Sequence, residues 1–172
     1  MRTEIKFGLI LGLGICAYTI IAHLLGFYTT NIRTGKYGDV AITLLPVVTL
    51  FLAIREKRNL KGSLTLLEGL KTGLLVALIS FPISTAFLWI YHHFINPNWL
   101  EFILAYERDS MARAGVSAAE IASRLNAQRA GNSDLAQLVG GLIGTIILGL
   151  VLSLIFSLIL RRRGETVKQA EA

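Results

Sequence analysis

Long runs without formal charge alternate with short polar segments along the chain, and the runs set the architecture. The first, Phe7 to Ile32, has 26 residues with no charge beyond whatever His23 carries, more than the ~20 needed to cross the hydrocarbon core of a bilayer. The third, Thr72 to Leu100, has 29 residues, with Pro82 inside it and Trp89, Tyr91 and Trp99 toward its far end, where aromatic rings favour a membrane interface. The fourth, Leu135 to Leu160, has 26 residues and stops at Arg161. The second, Val40 to Ile54, has only 15, rich in Leu, Val and Thr, with Pro46 near its middle. As a helix it rises roughly 22 Å against a core of about 30 Å, so Tyr37 and a snorkelling Arg55 must extend it. In lipid each run must be helical, because backbone amides without water have to bond one another. The pattern predicts spans at about residues 7–30, 37–55, 71–95 and 135–160 of a single integral membrane domain, 1–172, whose core is a four-helix bundle.

Charge placement tests the short second span. With four crossings, Arg2 and Lys6, the Arg55 to Lys71 loop, and Arg161, Arg162, Arg163 and Lys168 share one face, gathering eleven of the seventeen basic residues. Arg33, Lys36, Arg108, Arg113, Arg124 and Arg129 occupy the other. Without the second span the largest basic clusters would lie outside, against the positive-inside rule. The expectation is an inner-membrane protein with both termini in the cytoplasm.

The polar segments carry structure of their own. Gly62 to Gly73 mixes four leucines with Glu68 and Lys71 and reads as an interfacial stretch along the cytoplasmic surface, with Ser63 or Thr65 as cap and Thr65–Glu68 as capping box. Between the third and fourth spans, residues 98–131 read as an extracytoplasmic helical hairpin. Asn98 with Glu101 is its first cap signal, and Trp99, Phe102, Ile103 and Tyr106 recur as one amphipathic stripe. Gly115 ends that helix, Ser117 and Glu120 form a second capping box, and Gly131-Asn132 stops the second helix.

Several of these positions together resemble the bacterial family called domain of unknown function 4199, small four-span proteins of Gram-negative envelopes. The resemblance rests on Lys71-Thr72-Gly73-Leu74-Leu75 at the start of the third span and on Asn96-Pro97 before the extracytoplasmic helix. It also rests on Ala114-Gly115-Val116-Ser117-Ala118-Ala119-Glu120-Ile121-Ala122 and on Leu158-Ile159-Leu160-Arg161 closing the last span. Leu66 and Leu67 stand where family members often place an aromatic. The resemblance implies topology and carries over no catalytic residue.

Composition then narrows the chemistry. At 53% hydrophobic and 16% charged, with mean hydropathy +0.61, the chain is more apolar than a soluble domain. Its net charge of +6 sits beside the spans rather than on an aromatic-basic surface, so nucleic acid is not an expected partner. Cys16, the sole cysteine, is a small core residue, and the bulky Ile15 before it argues against lipoprotein cleavage. His23, His92 and His93 approach one membrane face without metal-ligand spacing, so interfacial hydrogen bonding is expected, with no metal or cofactor. No nucleophile elbow, zinc-protease motif or phosphate loop appears, and Ser80 and Ser84 lack a histidine at their depth, so no enzyme is expected.

Small residues recur every fourth position at Gly141, Thr145, Gly149, Ser153 and Ser157, and again at Gly8, Gly12 and Cys16. Such faces let another backbone approach closely, within the bundle or in a homo-oligomer or membrane-protein partner. No acidic or basic residue lies deep in a span, which counts against ion-coupled transport. The sequence therefore points to an all-α membrane protein with four transmembrane helices, a non-enzymatic structural or accessory role, and the lipid bilayer as first partner. The stripe Trp99, Phe102, Ile103 and Tyr106 is the candidate contact surface. An oligomeric small-solute transporter or channel, using breaks at Pro46 and Pro82, is the alternative.

Overall fold

A computed structural model describes residues 2–160, the side chains of Lys36 and Asp39 excepted. Every regular element among the described residues is helical: α1 (Thr3–Leu24), α2 (Ile32–Lys61), α3 (Leu66–Ile90, extended by a π-helical turn, Tyr91–Ile95), α4 (Trp99–Arg113), α5 (Ala118–Gly131) and α6 (Asp134–Leu160). Four of them, α1, α2, α3 with its π-helical turn, and α6, are long and apolar enough to cross a membrane. The expected basic run Arg161 to Arg163 and Lys168 lie outside the described residues.

The helix ends follow local chemistry. The uncharged run continues to Ile32, but α1 stops at Leu24, short of the expected residue 30. Gly26, at φ 74°, donates to His23 O and Phe27 N donates to Ala22 O, the paired bonds of a Schellman stop. Absence of charge marks what lipid tolerates, whereas a left-handed glycine decides where the helix ends. The same pair of bonds closes α4, where Gly115 (φ 78°) bonds Ala112 O and Val116 bonds Met111 O, as its position in the sequence predicts.

The second helix is twice the length of its uncharged run. At 30 residues it rises about 45 Å, enclosing Tyr37 and Arg55 and passing through Pro46 unbroken. Gly62 to Gly73 does not form a separate surface segment. From Leu66 onward it is the opening of α3, capped by Thr65, whose Oγ1 accepts from Glu68 N while Thr65 N donates to Glu68 Oε2. The physical reason appears in the packing of Gly69 and Gly73 described below.

By their internal contacts the described residues divide into two compact units, one of residues 2–14, 44–83 and 144–160, the other of residues 15–43 and 84–143. In the first, helix directions alternate. Lys6 Nζ bonds Glu56 Oε2 at 2.6 Å and Lys57 Nζ bonds Glu4 Oε1 at 2.6 Å, joining the start of α1 to the end of α2. Gly8 faces Ile79 and Gly12 faces Ile83, so α1 and α3 run parallel. Gly69 faces Ser157, Gly73 faces Ser153 and Ala77 faces Gly149, so α3 and α6 run antiparallel. The start of α1, the end of α2, the start of α3 and the end of α6 thus lie at one end of this unit, where Ile54, Leu64 and Leu160 pack with Phe51 and Phe156.

Phe7, Leu11, Leu50, Ile54 and Val76 are buried as in a soluble protein, but the rest of the burial pattern departs from one. Thr49, Thr72, Ser80, Ser153 and Ser157 are buried, while Ile10, Leu13, Val48, Leu75, Ile147, Val151, Ile155 and Ile159 are exposed. Buried hydroxyls beside an outer surface rich in large aliphatics is the arrangement lipid selects, since apolar side chains gain nothing by leaving hydrocarbon.

Candidate functional site

In the first unit the close-packed seam is built by two facing ladders at four-residue spacing. A methyl group added at Gly69 would lie 2.7 Å from Ser157 Cβ, one at Gly73 2.7 Å from Ser153 Cβ, and one at Gly149 3.0 Å from Ala77 Cβ. Ser153 and Ser157 are fully buried, and neither hydroxyl has a hydrogen-bond partner among the described residues. Each Oγ instead abuts a glycine of α3, the close backbone approach at which Cα–H to oxygen contacts arise. Half of this seam, Gly149, Ser153 and Ser157, was visible in the sequence as a stripe. Its counterpart, Gly69, Gly73 and Ala77, has the same spacing and was hidden by the charged residues around it. Within the chain the stripe is unevenly covered: Gly141 is exposed and Thr145 half-buried, while the other three are buried. Gly8 and Gly12 pack on Ile79 and Ile83 of the same chain, and Cys16 is a half-buried free thiol.

Glu4 was also missed. It stands just before the first uncharged run, where nothing in the sequence singles it out, yet its residue is only 8% exposed. It accepts from Lys57 Nζ, and Thr72 Oγ1 reaches the same oxygen at 3.5 Å. Thr3 and Lys6 in turn bond Glu56 at 3.2 Å and 2.6 Å.

The second unit is organised around Tyr91, which is 2% exposed. Its hydroxyl bonds His23 Nδ1 at 2.9 Å and accepts from Asn96 Nδ2 at 3.2 Å, while the same amide nitrogen reaches Tyr28 O at 3.4 Å. The rings of His23, Tyr28, Phe87 and His92 surround it. The π-helical turn makes this possible: Asn96 N donates to Tyr91 O, five residues back, carrying the Asn96 side chain round to the Tyr91 hydroxyl. Pro97 disfavours helix at Asn96, ending the turn. Histidines therefore meet aromatic and hydrogen-bonding partners. His93 Nδ1 bonds Trp89 O and its Nε2 lies 3.4 Å from Asp134. No group of three potential metal ligands occurs among the described residues.

The hairpin of α4 and α5 follows the Tyr91 cluster. Arg129 pairs with Glu101 at 3.0 Å, bringing the end of α5 to the start of α4. Ser117 Oγ accepts from Glu120 N, as the capping box requires. Asn98 precedes α4 without a side-chain cap bond: at φ −94° and ψ 9° its backbone is not in the extended conformation that carries a capping oxygen over the first-turn amides, whereas Ser117, at φ −64° and ψ 148°, is. Of the sequence-predicted stripe, Trp99 stacks on His92 with ring centroids 4.1 Å apart, Ile103 and Tyr106 are half-buried, and Phe102 is 40% exposed. The buried residues of the two helices are Leu104 and Ile121.

A family model described as protein of unknown function (DUF4199) matches residues 6–162 of the chain. The chain belongs to this family. No curated protein and no solved structure matches it. The match spans all four long helices and the hairpin.

Proposed function

We propose that this DUF4199 protein is a non-enzymatic accessory protein of the inner membrane. It crosses four times with both termini in the cytoplasm and holds the α4–α5 hairpin outside, against the bilayer surface or a membrane partner. The observation that carries the reading is the alternation of helix directions in the first unit, which gathers the start of α1, the end of α2, the start of α3 and the end of α6. Arg2, Lys6, Arg55, Lys57, Arg58, Lys61 and Lys71 belong to those ends, and positive charge favours the cytoplasmic side. The hairpin balances Glu101, Glu107, Asp109 and Glu120 against four arginines, and without the basic excess of those ends it suits the opposite side. Phe94, Phe102 and Leu135, at 71%, 40% and 70% exposed, offer apolar surface beside it that water alone would leave unfavourably solvated.

Photo-crosslinking from positions 102 and 106 tests the role. Capture of lipid or of a second protein is expected. Capture of the protein's own spans alone would reduce the hairpin to a self-packed lid, and a solute flux into proteoliposomes lost on altering Pro82 would favour transport instead.

A further inference from the structure

Tyr106, Asp109, Ser110 and Arg113 lie at the spacing of one face of α4, and with Arg33 from the first turn of α2 they line a polar cleft of about 690 Å³ within the second unit. Its two guanidinium groups stand apart from the other arginines of the hairpin. Arg108 pairs with Asp109, Arg124 with Glu120 and Arg129 with Glu101, whereas Arg33 and Arg113 have no carboxylate or hydrogen-bond partner among the described residues. Two cations without a carboxylate partner on one cleft favour an anion there. Arg33 also sits at the start of a 30-residue helix, whose N-terminal amides and dipole favour negative charge. Ser110 supplies a hydroxyl donor, and the one carboxylate among the described lining residues, Asp109, is engaged by Arg108 Nε at 3.4 Å.

We propose that this cleft binds a phosphate group, held by Arg33, Arg113 and Ser110. Guanidinium forks match the oxygens of a phosphate, and the polar lining with an open mouth admits either a lipid headgroup or a free phosphate. The assignment rests on the cleft alone and is independent of which side of the membrane the hairpin occupies.

The test uses the full chain, delipidated in a neutral maltoside detergent. One arm titrates inorganic phosphate calorimetrically. The other counts bound phosphatidylglycerol against diacylglycerol of the same chain length by native mass spectrometry. Binding in the first arm identifies free phosphate as a ligand, and retention of phosphatidylglycerol over diacylglycerol identifies a headgroup. In either arm R33Q and R113Q are each expected to weaken binding about tenfold, while R124Q, which removes the same charge from α5, leaves it unchanged. D109N is expected to tighten binding, a gain that misfolding cannot produce. The proposal is overturned if neither probe binds, if R33Q and R113Q bind like R124Q, or if D109N weakens binding.

Discussion

Replacing Gly73 by alanine sets a methyl group against Ser153, which is fully buried, with Ser153 Cβ 2.7 Å and Ile54 Cδ1 3.5 Å away. Neither α3 nor α6 can yield locally, because Gly69 against Ser157 and Ala77 against Gly149 fix the separation one turn to each side. Overpacking of a tight seam costs about 1–3 kcal/mol, and the intrinsic preference of a helix for alanine over glycine returns about 0.5–1 kcal/mol. The net expectation is a loss of about 1–2 kcal/mol, some five- to thirtyfold in the folded population. Ser153→Gly opens the space the methyl group needs. In G73A/S153G the small residue has changed sides, so the two substitutions are expected to couple favourably by more than about 1 kcal/mol, well beyond the ~0.3–0.5 kcal/mol scatter of independent sites. Gly14→Ala is the control, since nothing lies within 4 Å of the added atom. Unfolding of the purified protein by graded addition of dodecyl sulfate to mixed micelles, followed by circular dichroism, measures all four. If G73A unfolds with the wild type, or if the double variant is additive, the seam is not the tight contact described.

The polar clusters give further expectations. Y91F deprives Asn96 Nδ2 and His23 Nδ1 of their shared partner in a buried site; a loss of about 1–3 kcal/mol, read in the same unfolding assay, is expected, and wild-type stability would mean the hydroxyl bonds contribute nothing net. K57M leaves the Glu4 carboxylate, whose side chain is only 11% exposed, without its cation. It should destabilise clearly more than R124Q, which breaks an exposed pair on α5 of a kind worth little, and the order of the two midpoints decides it. S117A removes the oxygen that caps α5 and is expected to cost about 1 kcal/mol, concentrated as faster amide exchange at residues 118–121; uniform protection across α5 would count against the cap.

The helices were legible because lipid leaves so few options: an uncharged run of sufficient length must be helical, and the capping residues Thr65 and Ser117 announce themselves three positions ahead of Glu68 and Glu120. What failed was whatever depends on a distant partner. Nothing near Glu4 in the sequence marks it, because its partners Lys57 and Thr72 arrive from 53 and 68 residues away. Gly69 and Gly73 look like part of an amphipathic surface stretch until Ser157 and Ser153 face them. Asn98 and Glu101 carry a capping signature that goes unused, because the backbone at Asn98 is not extended as a capping residue requires. The short second run understated its helix because charged residues at the ends of a span extend it without adding to its hydropathy.

The central claim, that the chain crosses the membrane four times with its basic ends inside, is tested most directly by cysteine labelling in intact bacterial cells. In a C16S background, single cysteines at Asn59, in the α2–α3 basic segment, and at Ser123, on α5, are both exposed. A membrane-impermeant maleimide is expected to label the Ser123 position in whole cells and the Asn59 position only after lysis. Labelling of both from outside, or of Asn59 alone, would contradict the arrangement.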